Sequence, residues 1–231
     1  MEARTINYHH GQETVYIPVD KEHLKCYVIK TVNKGKVWEK NISKRIHSDC
    51  IKDTCAIDIG ANIGVHTVSM LNSLGEAGLV IAFEPQNEIN DCLNKTLENI
   101  GNNFIISDKL VSNKTDESMF YSDGTGRSRI PINKHRYLKK WNKTIKQTIT
   151  LDNYLSELNI DKIISLIKID VEGHEWEVLE GSQQTINKYK PIIYIEVWDK
   201  IGDYNKLVEW CKQNNYNMEK IAKNDYKLTS V

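Results

Sequence analysis

The chain has 231 residues, room for one sizeable α/β domain or two small ones, and 40% hydrophobic with 27% charged residues excludes wholesale disorder. Thirty-one Lys and Arg balance thirty-one Asp and Glu, which excludes a global polyanion-binding charge but not a local patch. No stretch approaches the ~18–20 apolar residues of a membrane span, and Met1-Glu2-Ala3-Arg4 opens no secretory leader, so a cytoplasmic location is expected. Five cysteines without any CxxC pair read as reduced, core-filling thiols and not as a disulfide frame or zinc site.

In chain order, the first fifty residues (segments 14–17 and 25–31, and a helix near 37–46) are expected to cap the strand ends. From Thr54 the pattern alternates short β-branched runs with longer amphipathic ones, which predicts parallel strands joined by crossover helices. Strands are predicted at 54–59, 79–83 and 104–107, with a short one at 110–111. Helices are predicted at 65–74, stopped by Gly75, and at 88–99, capped by Gly101. After a turn-rich and then basic stretch over 112–150, alternation resumes: helix 151–158, strand 163–169, helix 175–189, strand 192–197 and helix 204–214. Two terminal strands, 218–222 and 226–230, form an expected antiparallel hairpin. The fold class is therefore a doubly wound, mostly parallel, seven-stranded sheet. Residues 1–53 are the cap and 54–231 the main domain, with 112–150 inserted.

The most informative segment is Ile57-Asp58-Ile59-Gly60-Ala61-Asn62-Ile63-Gly64, a strand feeding a glycine-bearing turn and then a helix. Such a turn lets backbone N–H groups approach a ligand closely. Glu84, at the tip of the second strand and followed by Pro85, can accept hydrogen bonds from the vicinal hydroxyls of a ribose. A dinucleotide turn reads G-x-G-x-x-G; here it reads G-x-N-x-G with an acid two residues ahead. Asp58 would repel a pyrophosphate and favour a ligand carrying an ammonium and a sulfonium, so the segment favours S-adenosylmethionine over NAD. The bland alternative is a turn that only packs helix on sheet.

In open α/β sheets, ligands bind beyond the carboxyl ends of the strands. The fourth main strand ends in Lys168-Ile169-Asp170-Val171-Glu172-Gly173-His174, with Lys168 and Asp170 on one face. The fifth ends in Glu196-Val197-Trp198, so Glu196 points into the same crevice. Ionisable residues inside apolar strands are costly unless partnered or used. A structural ion pair of Lys168 with Asp170, and a helix-capping His174, is the alternative to a catalytic cluster.

The segments 57–67, Ala82-Phe83-Glu84-Pro85 and 167–173 resemble those of FkbM-family methyltransferases. Trp38-Glu39, Gly126 and Ser128, Thr150-Leu151-Asp152, Val178-Leu179-Glu180-Gly181 and Pro191 fit in the same order, over about residues 37–198. The resemblance implies a class I, Rossmann-like, S-adenosylmethionine-dependent methyltransferase acting on a hydroxyl of a sugar or natural product. By motif, it implies that Asp58, Gly60, Ala61, Asn62, Gly64, His66 and Thr67 line the methionine part of the cofactor. Glu84 and Pro85 would hold the ribose, and Ser107 and Asp108 would border the adenine. His66 departs from the more common aromatic at its position.

On this reading Asp170 or His174 takes the proton of the acceptor hydroxyl. Lys168 and Glu196 orient the hydroxyl or the base, and Glu172 supports His174. Trp38, Glu39, Arg127, Ser128 and Trp198 are the expected acceptor contacts. The basic stretch (Arg127, Arg129, Lys134, Arg136, Lys139, Lys140, Lys143, Lys146), interleaved with Tyr137 and Trp141, reads as a solvated loop with no partner or as a contact for a phosphorylated or nucleotide-linked sugar. Nucleic acid is the less favoured partner, because no second basic region exists to neutralise many phosphates. An RNA ribose 2′-O-methyltransferase and a cofactor-binding module without turnover are the rival functions. No metal-ligand spacing is recognisable, so no metal is expected, and a homo-oligomer is compatible with the sequence.

Overall fold

A computed structural model describes residues 1–101, 103–123, 141–198 and 203–231, with the backbone of 128–129. The chain opens with an antiparallel hairpin, β1 (Glu2–Tyr8) and β2 (Gly11–Ile17), in which Ile6, Tyr8, Val15 and Ile17 alternate inward. A 3-10 turn at His23–Lys25 leads into α1 (Tyr27–Val32), and α2 (Lys40–Asp49) follows. The hairpin is longer than the expected 14–17 segment, and the second helix lies three residues later than the predicted 37–46.

Then come β3 (Cys55–Ile59), α3 (Val65–Leu74), β4 (Leu79–Phe83), α4 (Asn87–Glu98), β5 (Phe104–Ser107) and β6 (Leu110–Val111). The next elements are β7 (Asp116–Ser122), β8 (Ser128–Arg129), β9 (Asn142–Ile149), α5 (Leu151–Glu157) and β10 (Ile164–Ile169). The chain closes with α6 (Glu175–Glu180), α7 (Gln183–Tyr189), β11 (Ile192–Glu196), α8 (Asp203–Asn214), β12 (Tyr216–Lys220) and β13 (Asp225–Ser230).

Seven strands form the main sheet in the order β12-β13-β11-β10-β3-β4-β5. Pairing is parallel from β11 to β5, and β13 runs antiparallel between β11 and β12. The predicted doubly wound, Rossmann-like sheet is therefore the observed one. The order reverses at β3, flanked by β4 on one side and β10 on the other, so the crevice between their carboxyl ends is the switch point where ligands bind in such sheets.

Period-two alternation splits the core into two layers. Ala56, Val80, Ala82, Leu166 and Tyr194 face the layer of α1–α4 and the N-terminal hairpin. Ile57, Ile81, Ile167, Ile193 and Ile195 face the other, with Val178, Ile186 and Leu207. The hairpin is pinned to the first layer by Tyr8 Oη, which donates to the Val65 carbonyl, and by the Tyr16 N–H, which donates to Thr96 Oγ1. Strands β6-β9-β7-β8 make a separate four-stranded sheet out of much of the 112–150 segment.

One predicted element divides. The expected helix 175–189 is two helices broken at Gly181-Ser182. A Cβ at Gly181 would stand 1.9 Å from the Ser112 carbonyl oxygen, so only glycine lets the helix end press against that loop. Asp152 then caps α7 from outside, its carboxylate accepting from the backbone N–H of Gln184 and Thr185 (both 2.9 Å) and from Thr185 Oγ1 (2.7 Å). Charge-assisted bonds of this kind contribute about 1.5–3 kcal/mol each when removed. Asp152→Ala is expected to lower the free energy of urea unfolding by about 2 kcal/mol at unchanged m-value; a loss below ~0.5 kcal/mol would remove the cap from the account of this break.

Candidate active site

A cavity of about 650 Å³ opens at the carboxyl ends of β3, β4, β10 and β11. One side is built by Gly60, Ala61, Asn62, His66, Glu84 and Pro85; the other by Lys168, Asp170, Glu172, His174, Glu196 and Trp198. The strand topology thus brings most of the expected residues around one space.

The floor is a charge cluster. Lys168 and Asp58 are direct register partners on adjacent parallel strands, with Nζ 3.5 Å from Asp58 Oδ1 and 3.4 Å from Asp170 Oδ2. Burial works against the ammonium, but Asp170, Asp58 and Glu39 together outweigh it, and the Lys168 pKa lies above the ordinary lysine range. Lys168 is therefore a fixed cation and does not act as a base. Asp58 is fully buried and takes a further bond from Thr67 Oγ1 (2.6 Å). Neither Asp58 nor Thr67 lines the cavity, and the charge expected to face a ligand is spent on Lys168.

The glycine turn also differs from expectation. Gly60 and Ala61 both donate their N–H to the Phe83 carbonyl (3.0 Å each), Ile63 to Asn62 Oδ1, and Gly64 to the Ala61 carbonyl. Those donors are consumed internally and are not presented to a ligand. What the turn supplies is closeness: a Cβ at Gly60 (φ +83°) would stand 1.9 Å from the Asp170 carbonyl oxygen. Gly60 thereby lets the ends of β3 and β10 meet. Gly64 packs beneath, against Leu93, and does not line the cavity.

Glu84 is buried at the tip of β4, its oxygens accepting from the N–H of Gln86 (2.9 Å) and Asn62 (3.0 Å). Burial pushes its pKa up to about 7 against these donors. Ser107 lies below, accepting from the Glu84 N–H through its carbonyl; Asp108 is ion-paired to Lys146 (3.0 Å). Lys109, Leu110 and Val111, immediately after them, line the cavity instead.

On the opposite side, burial first, then the charge of Asp170 and a hydrogen bond to it, push the Glu196 pKa to about 9. Glu196 therefore keeps its proton near neutral pH and presents it to Asp170. His174 caps the start of α6 and has Nε2 3.0 Å from Ser112 Oγ; burial lowers its pKa. The acid beside His174 Nδ1 is Glu177 (3.4 Å), one helical turn on, whereas Glu172 was expected to support it. Glu172 lines the cavity from a left-handed backbone (φ 58°).

The N-terminal residues complete the wall. Trp38 and Glu39 line it, with Glu39 Oε2 3.1 Å from His66 Nε2. Lys25, Cys26, Tyr27 and Lys30 also line it and were not singled out from sequence, where no pattern marks them. Asp225, register partner of Glu196, is a further acid missed there. Arg127 and the basic residues Lys134, Arg136, Lys139 and Lys140, with Tyr137, lie outside the described residues. Ser128 is placed only as the backbone partner of Ser122. Among the described residues, no helix is long and apolar enough to cross a membrane.

This strand order, with its glycine turn at the switch point and an acid on the neighbouring strand tip, defines the class I, Rossmann-like methyltransferase fold. The family model of the methyltransferase FkbM domain matches residues 58–218, and the chain belongs to that family. It is 26% identical over 177 residues to the hexuronic acid methyltransferase AglP of Haloferax volcanii, covering 75% of this chain and 69% of that protein. It superposes on a methyltransferase FkbM of Methylobacillus flagellatus with a TM-score of 0.55 at 14% identity, over 91% of this chain. The chain spans 55% of the length of that protein. An S-adenosylmethionine-dependent O-methyltransferase of Thermotoga maritima gives 0.53 at 12% identity, covering 99% of this chain and 77% of that one. At such identities the two superpositions concern the fold.

The charge cluster carries a stability test. Removing one partner of a buried pair leaves the other uncompensated, at about 3–5 kcal/mol, whereas removing both is far milder. Lys168→Met is expected to destabilise by that amount in urea, and Asp58→Asn with Lys168→Met to recover most of it. Losses of Lys168→Met and Asp58→Asn that simply add in the double variant would show that the two residues do not act as a pair.

Proposed function

We propose that the chain is an S-adenosylmethionine-dependent O-methyltransferase acting on a hydroxyl of a sugar or glycan precursor. The observation that carries this is the two-sided cavity: a neutral turn and a ribose-type acid at the ends of β3 and β4, proton-handling groups at the ends of β10 and β11. Its volume of about 650 Å³ suits a nucleoside with a second small ligand beside it. The family, and the sugar acid in the name of the Haloferax relative, support a carbohydrate acceptor.

The donor half fits the cofactor on the chemistry of Glu84. A carboxylate has about four acceptor sites; the Gln86 and Asn62 N–H groups and the Gln86 side chain use three of them. A ribose diol would take the remaining site and compete with the Gln86 side chain for another. When bound, S-adenosylmethionine supplies an electrophilic methyl group. Gly60, Ala61 and Asn62 would shape the wall beside its amino-acid end, with Asp58, Gly64 and Thr67 holding that wall from behind.

On the acceptor half, Asp170 is the proton acceptor. Glu196, holding a proton, hydrogen-bonds Asp170 and keeps it oriented, and Lys168 fixes it from below at 3.4 Å. His174 is less suited, since Nε2 is committed to Ser112 Oγ and burial disfavours its charged form. Trp38, Trp198 and Tyr27 offer flat apolar faces at the mouth, suited to a sugar ring. The ribose 2′-hydroxyl of RNA, the rival acceptor, rests on a basic stretch of which most lies outside the described residues.

Two outcomes test this reading. Glu84 is protonated below its raised pKa of about 7 and ionised above it, and hydroxyl donors favour the ionised form. Binding of S-adenosylhomocysteine should therefore weaken about tenfold from pH 8 to pH 6, with proton release on binding, and Glu84→Gln should lose that pH dependence. Calorimetry showing a flat wild-type profile would withdraw Glu84 from the ribose. Asp170→Asn should lower turnover by ~10²–10⁴-fold while cofactor affinity changes little. Turnover is read by mass spectrometry after incubation with labelled S-adenosylmethionine and a panel of free sugars, nucleotide sugars and RNA. Methylation of RNA alone, falling steeply with salt, would replace the carbohydrate acceptor.

A further inference from the structure

Away from the cavity, the turn of the N-terminal hairpin gathers three imidazoles against α2. His9 and His10 come from the turn between β1 and β2, and His47 from the last turn of α2. Ring centroids are 4.9 Å apart for His9 and His10, 4.5 Å for His9 and His47, and 4.9 Å for His10 and His47. The acid of this group is Glu13 on β2, with Oε1 3.8 Å from His10 Nδ1.

His10 is the residue that needs an explanation. Its side chain is 9% exposed, yet neither ring nitrogen has a hydrogen-bond partner. Leaving a buried polar group unpaired is costly, and a ligand that accepts its lone pair would remove that cost. His47 is arranged differently: Nδ1 lies 3.2 Å from the Ser69 carbonyl oxygen. An Nδ1–H donated there leaves Nε2 as a lone-pair donor, the arrangement that orients metal-binding histidines. Glu13 is likewise held by a hydrogen bond from the Asn72 side chain.

We propose that His9, His10 and His47, with Glu13, form a binding site for one borderline divalent cation of the zinc type. Around an ion with metal–nitrogen bonds of ~2.0–2.1 Å, each imidazole centroid lies ~3.2 Å away, and angles of ~90–110° put the centroids ~4.5–5.2 Å apart. The observed separations of 4.5–4.9 Å match that spacing. The centroids have the spacing, but the ligand atoms of these residues do not yet converge within 4.8 Å: the His10 ring lies nearly parallel to both Tyr8 (20°) and His47 (19°), so coordination requires it to leave Tyr8 and turn about its side-chain bonds to aim a nitrogen inward. Three imidazoles and one carboxylate complete a tetrahedral set.

Burial and neighbouring charges favour the neutral form of two of the ligands, His9 and His10. Burial and the neighbouring histidines lower the His10 pKa to about 4, and burial, His47, Lys44 and Lys40 lower that of His9. Both imidazoles are therefore neutral at pH 7.5, and metal need displace no proton from them. An ion here would tie the hairpin turn to the end of α2, the helix whose first turn adjoins the cavity residue Glu39.

The untagged 231-residue chain, stripped with chelator, is titrated with Zn²⁺ at pH 7.5 by calorimetry, and with Co²⁺ followed by visible absorption. The expected result is one ion per chain, a tetrahedral-type Co²⁺ spectrum and a Zn²⁺-dependent rise in melting temperature. His10→Gln and His47→Gln should each weaken Zn²⁺ binding at least tenfold, with far-UV circular dichroism verifying that both variants fold. His23→Gln is the control: its ring faces Asp20 and Glu88 in a separate group, where Asp20 also accepts from the backbone of the turn. Absence of stoichiometric binding, wild-type affinity in His10→Gln and His47→Gln, or loss of binding in His23→Gln alone would each overturn the proposal.

Discussion

The buried ammonium of Lys168 is the constraint around which the rest of the site is arranged. It sits on a sheet face whose neighbours are Ala56, Val80, Ala82 and Leu166, surroundings that cannot solvate a charge. Two carboxylates compensate it, one across the sheet and one two residues along its own strand. The consequence is positional. Asp58 must stay deep, opposite Lys168 in the parallel register, while Asp170 emerges where β10 ends and the crevice opens. The same pairing that neutralises the sheet interior thus fixes one oxygen of Asp170 at the edge of the cavity. Beyond Lys168 the polar row continues through Tyr194, whose hydroxyl meets Asp49 at 2.5 Å, to Lys227, also on Asp49 at 2.6 Å. That row ties α2, and through its first turn Glu39, to the sheet.

Carboxyls on the two sides of the cavity are tuned by burial in the same direction but for different ends. Glu84 is surrounded by N–H donors and reaches only about 7, a value that hydroxyl donors can bring down again. Glu196 faces another carboxylate and reaches about 9, which keeps it a proton donor to Asp170 across the neutral range. Glu84 is the more deeply buried of the two and yet the less shifted, so what each one faces separates them: donors in one case, an acceptor in the other.

Features carried by local patterning were legible in the sequence. The strands of the parallel sheet are short β-branched runs closed by Gly60, Pro85 or Asp170, and they stand within one or two residues of expectation. Features set by distant partners were not. Gly181-Ser182 is a weak break signal inside the predicted helix, and what makes the break firm is distant: Asp152 caps α7 from another element and the Ser112 loop sets the clearance at Gly181. Likewise, the spending of the turn's N–H groups on the Phe83 carbonyl depends on how β3 and β4 end side by side. The Glu177 partner of His174 was readable as an i,i+3 pair once the helix was placed, and was passed over for the nearer Glu172. Tyr27 and Lys30 reach the cavity only because α1 folds back over the sheet, which no residue pattern within 25–31 specifies.

Backbone strain points to the same place as the side chains. Of the seven described non-glycine residues with positive φ, three, Glu39, Asn62 and Glu172, line the cavity; Asp53, Asn159, Lys190 and Asn215 lie elsewhere. Asparagine tolerates the left-handed region, and Asn62 relieves it by accepting the Ile63 N–H on its own side chain. Glutamate has no such relief, and each instance costs on the order of 1–2 kcal/mol. Glu39 occupies the N-cap position of α2 without a side-chain capping bond; its carboxylate reaches instead to His66 in the cavity wall. A serine or aspartate there would serve the helix better. Glu172 and the following Gly173 (φ 58° and 105°) swing the chain sharply from β10 into α6, which sets His174 at the helix start facing Ser112. In both places the local choice disfavours the secondary structure and favours a carboxylate at the cavity, the pattern expected where a chain gives up stability to hold reacting groups.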